Sequence, residues 1–201
     1  MARLLYVVDP MCSWCWGFTE IRREVSEAFP EFEWQLVMGG LAPDSDEPMD
    51  EATKSYVQDA WRAVAARTGA NFNHDFWAEC EPRRSTYPSC RAVIVAGESG
   101  KSEEMLSAIQ RAYYQEARNP SDTETLTSLA SDVGLDPAAF EAALHSPETQ
   151  TKLESDFALR SAVGAYSFPS VGLLDGEEAQ LITTGWCDAQ ALADAVRESL
   201  N

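Results

Sequence analysis

Two cysteines three positions apart, Cys12-Ser13-Trp14-Cys15, stand where an apolar run, Leu4-Leu5-Tyr6-Val7-Val8, gives way to a helical pattern. A strand-to-helix junction is where a dithiol gains most from the backbone. Unpaired N–H groups and the macrodipole at a helix start favour negative charge, and so favour the thiolate of the first cysteine. The second thiol, one turn on, is within reach of a mixed disulfide formed by the first. The pattern predicts thiol–disulfide chemistry, with Cys12 as nucleophile and Cys15 as resolving thiol.

Half of a zinc site is the other use of such a pair, and it requires a second ligand pair. His74, Cys80, Cys90 and His145 are scattered, and no other C-x-x-C exists in the chain. No metal is expected. Ser13 and Trp14 carry no charge, so thiolate stabilisation must come from the helix start, backbone N–H groups and the Cys15 S–H. A lowered but not extreme Cys12 pKa follows.

The remaining sequence organises around that junction. Residues 3–8 read as a buried strand, Ser13 to about Phe29 as a helix, and Glu33–Met38 as a second strand, parallel to the first. Gly39-Gly40 marks a boundary. Between Asp50 and Leu144 the pattern is helical: Ala52–Thr68 ending at Gly69, Cys90–Ala96, Lys101–Ala117, Asp122–Val133 with an Asp cap, and Asp136–Leu144. Thr149–Val163 reads as a helix returning to the core. Ser170–Leu174 and Gln180–Thr184 flank Asp175-Gly176-Glu177-Glu178 as a hairpin, and Asp188–Leu200 as a last helix.

The segment Asp9-Pro10-Met11-Cys12-Ser13-Trp14-Cys15-Trp16-Gly17-Phe18 resembles the active-site stretch of the DsbA-like thioredoxin superfamily, in its FrnE-like cytosolic branch. Pro88-Ser89-Cys90-Arg91-Ala92-Val93, Arg111-Ala112-Tyr113-Tyr114 and Gly164-Ala165-Tyr166-Ser167-Phe168-Pro169-Ser170 extend the likeness over nearly the whole chain. The resemblance implies an α/β thioredoxin-like fold with a helical insertion. Residues 1–42 and 148–201 would form the thioredoxin-like domain and residues 43–147 the inserted helical one. It implies a cis-proline at Phe168-Pro169 facing the dithiol, with the Gly185-Trp186-Cys187 loop beside it. Trp14, Phe168, Pro169 and Trp186 become candidate substrate-binding residues. Asp9 is either a proton acceptor for Cys15 or a turn residue before Pro10. Cys187 is an accessory thiol or a lone core cysteine. Cys80 and Cys90 are free to pair but have no need to, and Cys90 packs on its helix.

Charge narrows the partners. Formal net charge is −18, from 33 acids against 15 bases, with Lys54, Lys101 and Lys152 the only lysines. Such a field repels nucleic acid and anionic membranes. No apolar run is long enough to span a bilayer. Met1-Ala2-Arg3 runs straight into the first strand, which predicts a cytoplasmic location. In a reducing compartment five cysteines are a poor structural framework, which favours a catalytic pair.

The expected activity is thiol–disulfide oxidoreduction or isomerisation on protein or small-molecule disulfides. No organic cofactor is expected, and glutathione is a candidate redox partner. Kappa-class-like glutathione-dependent transfer or isomerisation of small molecules is the second reading. Relatives of that kind typically carry serine at the Cys12 position and lack the second cysteine. A non-enzymatic DsbA-like adaptor is the third. The sequence leaves the oligomeric state open.

Overall fold

The computed structural model describes residues 2–176 and 178–200. Glu177, in the expected hairpin turn, lies outside them.

The centre is a four-stranded sheet of order β2-β1-β3-β4. β1 (Arg3–Val8) and β2 (Glu33–Met38) fall where the apolar runs put them, and they pair in parallel from Arg3↔Glu33 to Val8↔Met38. β3 (Ser170–Asp175) runs antiparallel to β1, and β4 (Glu178–Thr184) antiparallel to β3. Because β1 is central, both its faces are buried, which explains an unbroken apolar run rather than an alternating one. Leu4, Tyr6 and Val8 enter the main core with Val25, Val171 and Leu192. Leu5 and Val7 meet Val37, Val163 and Ala165 on the opposite face.

The helix expected from Ser13 to Phe29 is two helices, α1 (Ser13–Trp16) and α2 (Thr19–Ala28). The break lies at Gly17-Phe18. There α3 (Glu51–Thr68) presses so closely that a Cβ on Gly17 would stand 2.7 Å from Val64 and 3.0 Å from Thr68. This tertiary contact overrides a locally continuous pattern.

Between the strand pairs run α3, α4 (Phe76–Glu79), α5 (Tyr87–Gly97), α6 (Ser102–Gln115), α7 (Thr123–Asp132) and α8 (Pro137–Leu144). Asp50 and Asp136 cap α3 and α8 by accepting the backbone N–H of Thr53 and Ala139. Asp122 makes no such bond at the start of α7. Its carboxylate is drawn instead to Arg83 at 2.5 Å. Helix α9 (Pro147–Ala162) starts two residues earlier than the sequence suggests, with Ser146 as cap and Pro147 in the first turn. The last helix is α10 (Ala189–Ser199), capped by Asp188. Among the described residues no helix is long and apolar enough to cross a membrane.

A second core fills the helical region. Trp61 of α3 is fully buried against Phe72, Phe76, Trp77, Tyr113 and Tyr114, with ring centroids 4.9–5.8 Å away. Met11 belongs to this cluster, and Trp16 stacks on Tyr114 at 5.6 Å. The dithiol loop is therefore held by both cores.

Helix α9 also guards the edge strand β2. Asp156 Oδ2 accepts the Met38 N–H at 2.8 Å. Burial raises the carboxyl to about 6 from an ordinary value of 3.8, against that hydrogen bond, which lowers it. Over the interval between these values the folded chain holds a proton that the unfolded chain has lost. Stability thus falls as pH rises from roughly 4 to 6, by up to about 3 kcal/mol. Asp156→Asn keeps an acceptor for Met38 without a buried charge. Denaturant unfolding of both proteins across that window should show the variant gaining on the parent as pH rises, and lying above it at neutral pH. Parallel curves would show that the charge is already solvated.

Candidate active site

The site grows from the end of β1. Asp9, fully buried, accepts the Met11 N–H on Oδ1 at 2.8 Å, and its own carbonyl accepts the Cys12 N–H at 3.0 Å. Oδ2 accepts the Leu41 N–H and the Thr86 hydroxyl, each at 2.7 Å, and the Cys90 thiol at 3.6 Å. One carboxylate thus ties the loop after β2 and the start of α5 to the dithiol turn. Burial raises the Asp9 pKa, while these donors pull it down. The Asp9 side chain makes no hydrogen bond to Cys15; the bonds it does make hold the turn. Thr86 and Cys90 went unread as parts of this hub, since only the fold brings them there.

Cys12 is the N-cap of α1 and 7% exposed, whereas Cys15 is fully enclosed. All five cysteines are free thiols. The Cys12 pKa is lowered, chiefly by hydrogen bonding from the Cys15 thiol, while burial opposes. Backbone N–H groups of Cys15 and Trp14 add to the lowering. Because α1 is a single turn, the macrodipole is weaker than a helix running to Phe29 would supply. Cys15 is raised well above the ordinary thiol range, by burial first and then by its partner. The pair is asymmetric: a thiol 7% exposed with its pKa lowered, backed by an enclosed one with its pKa raised. Alkylation by iodoacetamide followed against pH should give a Cys12 midpoint below the ordinary value near 8.5. Cys15→Ala should move that midpoint up, having removed the main donor. An unmoved midpoint would assign the lowering to the backbone instead.

Phe168-Pro169 is cis, and the Phe168 carbonyl lies 3.6 Å from Cys12 Sγ. The Phe168 ring, half-buried, lies against Gly39, where a Cβ would stand 2.8 Å from it. A Cβ on Gly40, whose φ is +64°, would run into the Phe157 ring. The glycine pair read as a boundary thus also makes room for two rings beside the site.

Trp14 is half-buried with its ring 6.3 Å from that of Trp186, whose Nε1–H donates to the Gly17 carbonyl. Of the four candidates, Phe168 thus faces Cys12 directly, Pro169 follows it across the cis bond, and Trp14 and Trp186 meet each other. Phe18 is core, and half-buried Trp16 donates its Nε1–H to Asn71. Tyr6, beneath the pair, points its hydroxyl at the Cys15 carbonyl at 3.5 Å. Cys187 makes no hydrogen bond to the dithiol, and burial and Asp188 raise its pKa. Cys80 donates to the Ala117 carbonyl and Cys90 to Asp9, so these two thiols take separate partners. Among the described residues no three His, Cys, Asp or Glu side chains are grouped to hold a metal ion.

A mixed four-stranded sheet, a dithiol at the end of its central strand and a cis-proline against the first thiol define a thioredoxin-fold protein. The chain belongs to the DSBA-like thioredoxin domain family, whose family model matches residues 3–197. A candidate protein disulfide isomerase from Nitrosomonas europaea is similar with a TM-score of 0.88 and 27% identity, over 99% of this chain and 97% of that one. The cytosolic disulfide reductase DsbM from Pseudomonas aeruginosa shares the fold at a TM-score of 0.77 and 24% identity, over 98% and 96% of the chains. DsbM has also been solved with GSH, and that structure matches with a TM-score of 0.75. The ClpXP adapter protein SpxH of Bacillus subtilis is 23% identical over 82% of this chain, which spans 55% of the length of that relative.

Proposed function

We propose that the protein is a cytoplasmic thiol–disulfide oxidoreductase or isomerase working through Cys12 and Cys15. The observation that carries this is the asymmetry of the pair: Cys12 alone reaches the surface, beside the Phe168 carbonyl, with Cys15 buried behind it. The Cys12 thiolate attacks one sulfur of a substrate disulfide. The substrate S–S bond breaks, a mixed disulfide forms, and the first half leaves as a thiolate that takes up a proton. Cys15 then gives up its proton and attacks Cys12 Sγ. The second half is released as a thiol, and the enzyme keeps the disulfide. Two electrons have passed to the substrate. Two molecules of a small thiol restore the dithiol by the reverse exchange, and glutathione suits that part; the GSH held by DsbM supports this assignment. A mixed disulfide that outlives the Cys15 attack allows isomerisation instead. Trp14, Phe168, Pro169 and Trp186 give the substrate its apolar surface.

The similarity to SpxH supports an adaptor as the second reading. Retention of both thiols favours oxidoreduction over this and over kappa-class-like transfer. Equilibrating the protein in glutathione buffers and counting free thiols decides the matter. A reversible two-electron couple at roughly −200 to −300 mV fits a reductase or isomerase. A much more oxidising value fits a disulfide donor, and no reversible couple at all favours the adaptor.

A further inference from the structure

In a chain so rich in acids, cations without a carboxylate stand out. Among the described residues every lysine and every arginine except Arg3, Arg67, Arg84 and Arg160 holds a carboxylate within 4 Å. Two of these four stand over rings of the candidate substrate surface. The Arg160 guanidinium sits 5.1 Å from the centre of the Phe157 ring and 5.5 Å from that of Phe168, the residue whose carbonyl faces Cys12. Its Nε is buried and has no hydrogen-bond acceptor. The Arg67 guanidinium sits 4.5 Å from the centre of the Trp186 ring, which in turn meets Trp14 between the two cysteines. Helix α3 carries Arg67 there by packing Val64 and Thr68 on Gly17.

Cys12 thus lies in the middle of a chain of contacts that has an arginine at each end. A guanidinium stacked on a ring spends its face on the π system and leaves its in-plane N–H fork free. That fork suits a carboxylate, and among the described residues neither Arg67 nor Arg160 has one of the protein's own carboxylates within 4 Å. The net charge of −18 would otherwise repel an anionic substrate.

We infer that Arg67 and Arg160 form a carboxylate-binding pair that brackets Cys12 and selects small thiols and disulfides bearing a carboxylate on each side of the reacting sulfur. This rests on the redox reading above and names the substrate class of the same site. Trp14, Trp186 and Phe168 hold the apolar middle of such a molecule, and the arginines hold its two ends.

The test compares oxidation of the reduced full-length protein by two probes, dicarboxylate 3,3′-dithiodipropionate and neutral 2-hydroxyethyl disulfide. The quantity read is the ratio of the two rate constants, in which damage common to both cancels. Arg67→Gln and Arg160→Gln should each lower the ratio about fivefold and the double variant about twentyfold, with 0.5 M salt erasing most of the difference. Arg67→Lys and Arg160→Lys, which keep the charge and lose the fork, should fall in between. Ratios within twofold of the parent in the double variant overturn the inference and leave the dithiol reading intact. If neither probe oxidises the parent protein, both fail together.

Discussion

Replacing Cys15 by Ala should convert the protein from a turnover catalyst into a trap. With Cys12 intact and the resolving thiol gone, attack on a substrate disulfide stops at the mixed disulfide, so covalent adducts accumulate and are released by dithiothreitol. Cys12→Ser should give no adducts and reduce disulfide turnover to the uncatalysed background, because the attacking group is a thiolate and serine offers none at neutral pH. The asymmetry of the pair sets this direction: Cys12 is 7% exposed with its pKa lowered, and Cys15 is enclosed with its pKa raised. Non-reducing electrophoresis of the two variants after exposure to oxidised substrate reads the outcome. Adducts of equal amount from both would move the nucleophile to another cysteine, with half-buried Cys187 the nearest in kind. Turnover that survives both substitutions would take the chemistry away from this dithiol, whereas partner binding that survives both, in a chain with no turnover to lose, would make it an adaptor.

The second large effect is on stability. Trp61→Ala should cost about 3–5 kcal/mol, the usual range for removing a fully buried tryptophan. For a chain of this size that is a fall in Tm of roughly 6–20 °C. Five rings of Phe72, Phe76, Trp77, Tyr113 and Tyr114 lose their common partner, and Ala leaves a cavity that they cannot all close. Trp61→Phe should cost much less, since the indole Nε1–H is buried with no acceptor and its loss carries no broken hydrogen bond. Thermal unfolding of the two variants tests the pair of expectations. A Tm drop under about 3 °C for Trp61→Ala would show that the helical region is held by other contacts.

Much of the architecture could be read from the residues because it is locally encoded. β1 and β2 follow apolar runs whose limits the structure reproduces, and α8 follows an Asp136-Pro137 start signal. The thiol pair was legible for the same reason, since its spacing and its place after a buried strand are features of adjacent residues. What escaped depends on contacts between distant parts of the chain. The break at Gly17 exists because Val64 and Thr68 crowd it, from about fifty positions away. The Asp122 cap failed because Arg83 competes for its carboxylate. The main support of the Cys12 thiolate is Cys15, and the short α1 leaves less to the helix start than the continuous pattern suggested. Arg67 and Arg160 carry no local signal at all: an arginine on a helix reads as solvated surface until its ring partner is known.

The double anchoring of the dithiol loop, through Met11 and Trp16 in one core and through Cys15 and Phe18 in the other, has a kinetic consequence. Loops that carry reactive groups are commonly the first segments to open, and their amides then exchange with solvent long before the rest. Here Trp16, Gly17 and Phe18 donate their N–H groups inside the turn, and no single core can let go of it alone. Their deuterium uptake should therefore keep pace with that of central β1, so that the redox segment belongs to the slowest-opening unit of the molecule and access to Cys15 comes from chemistry at Cys12 rather than from local fraying.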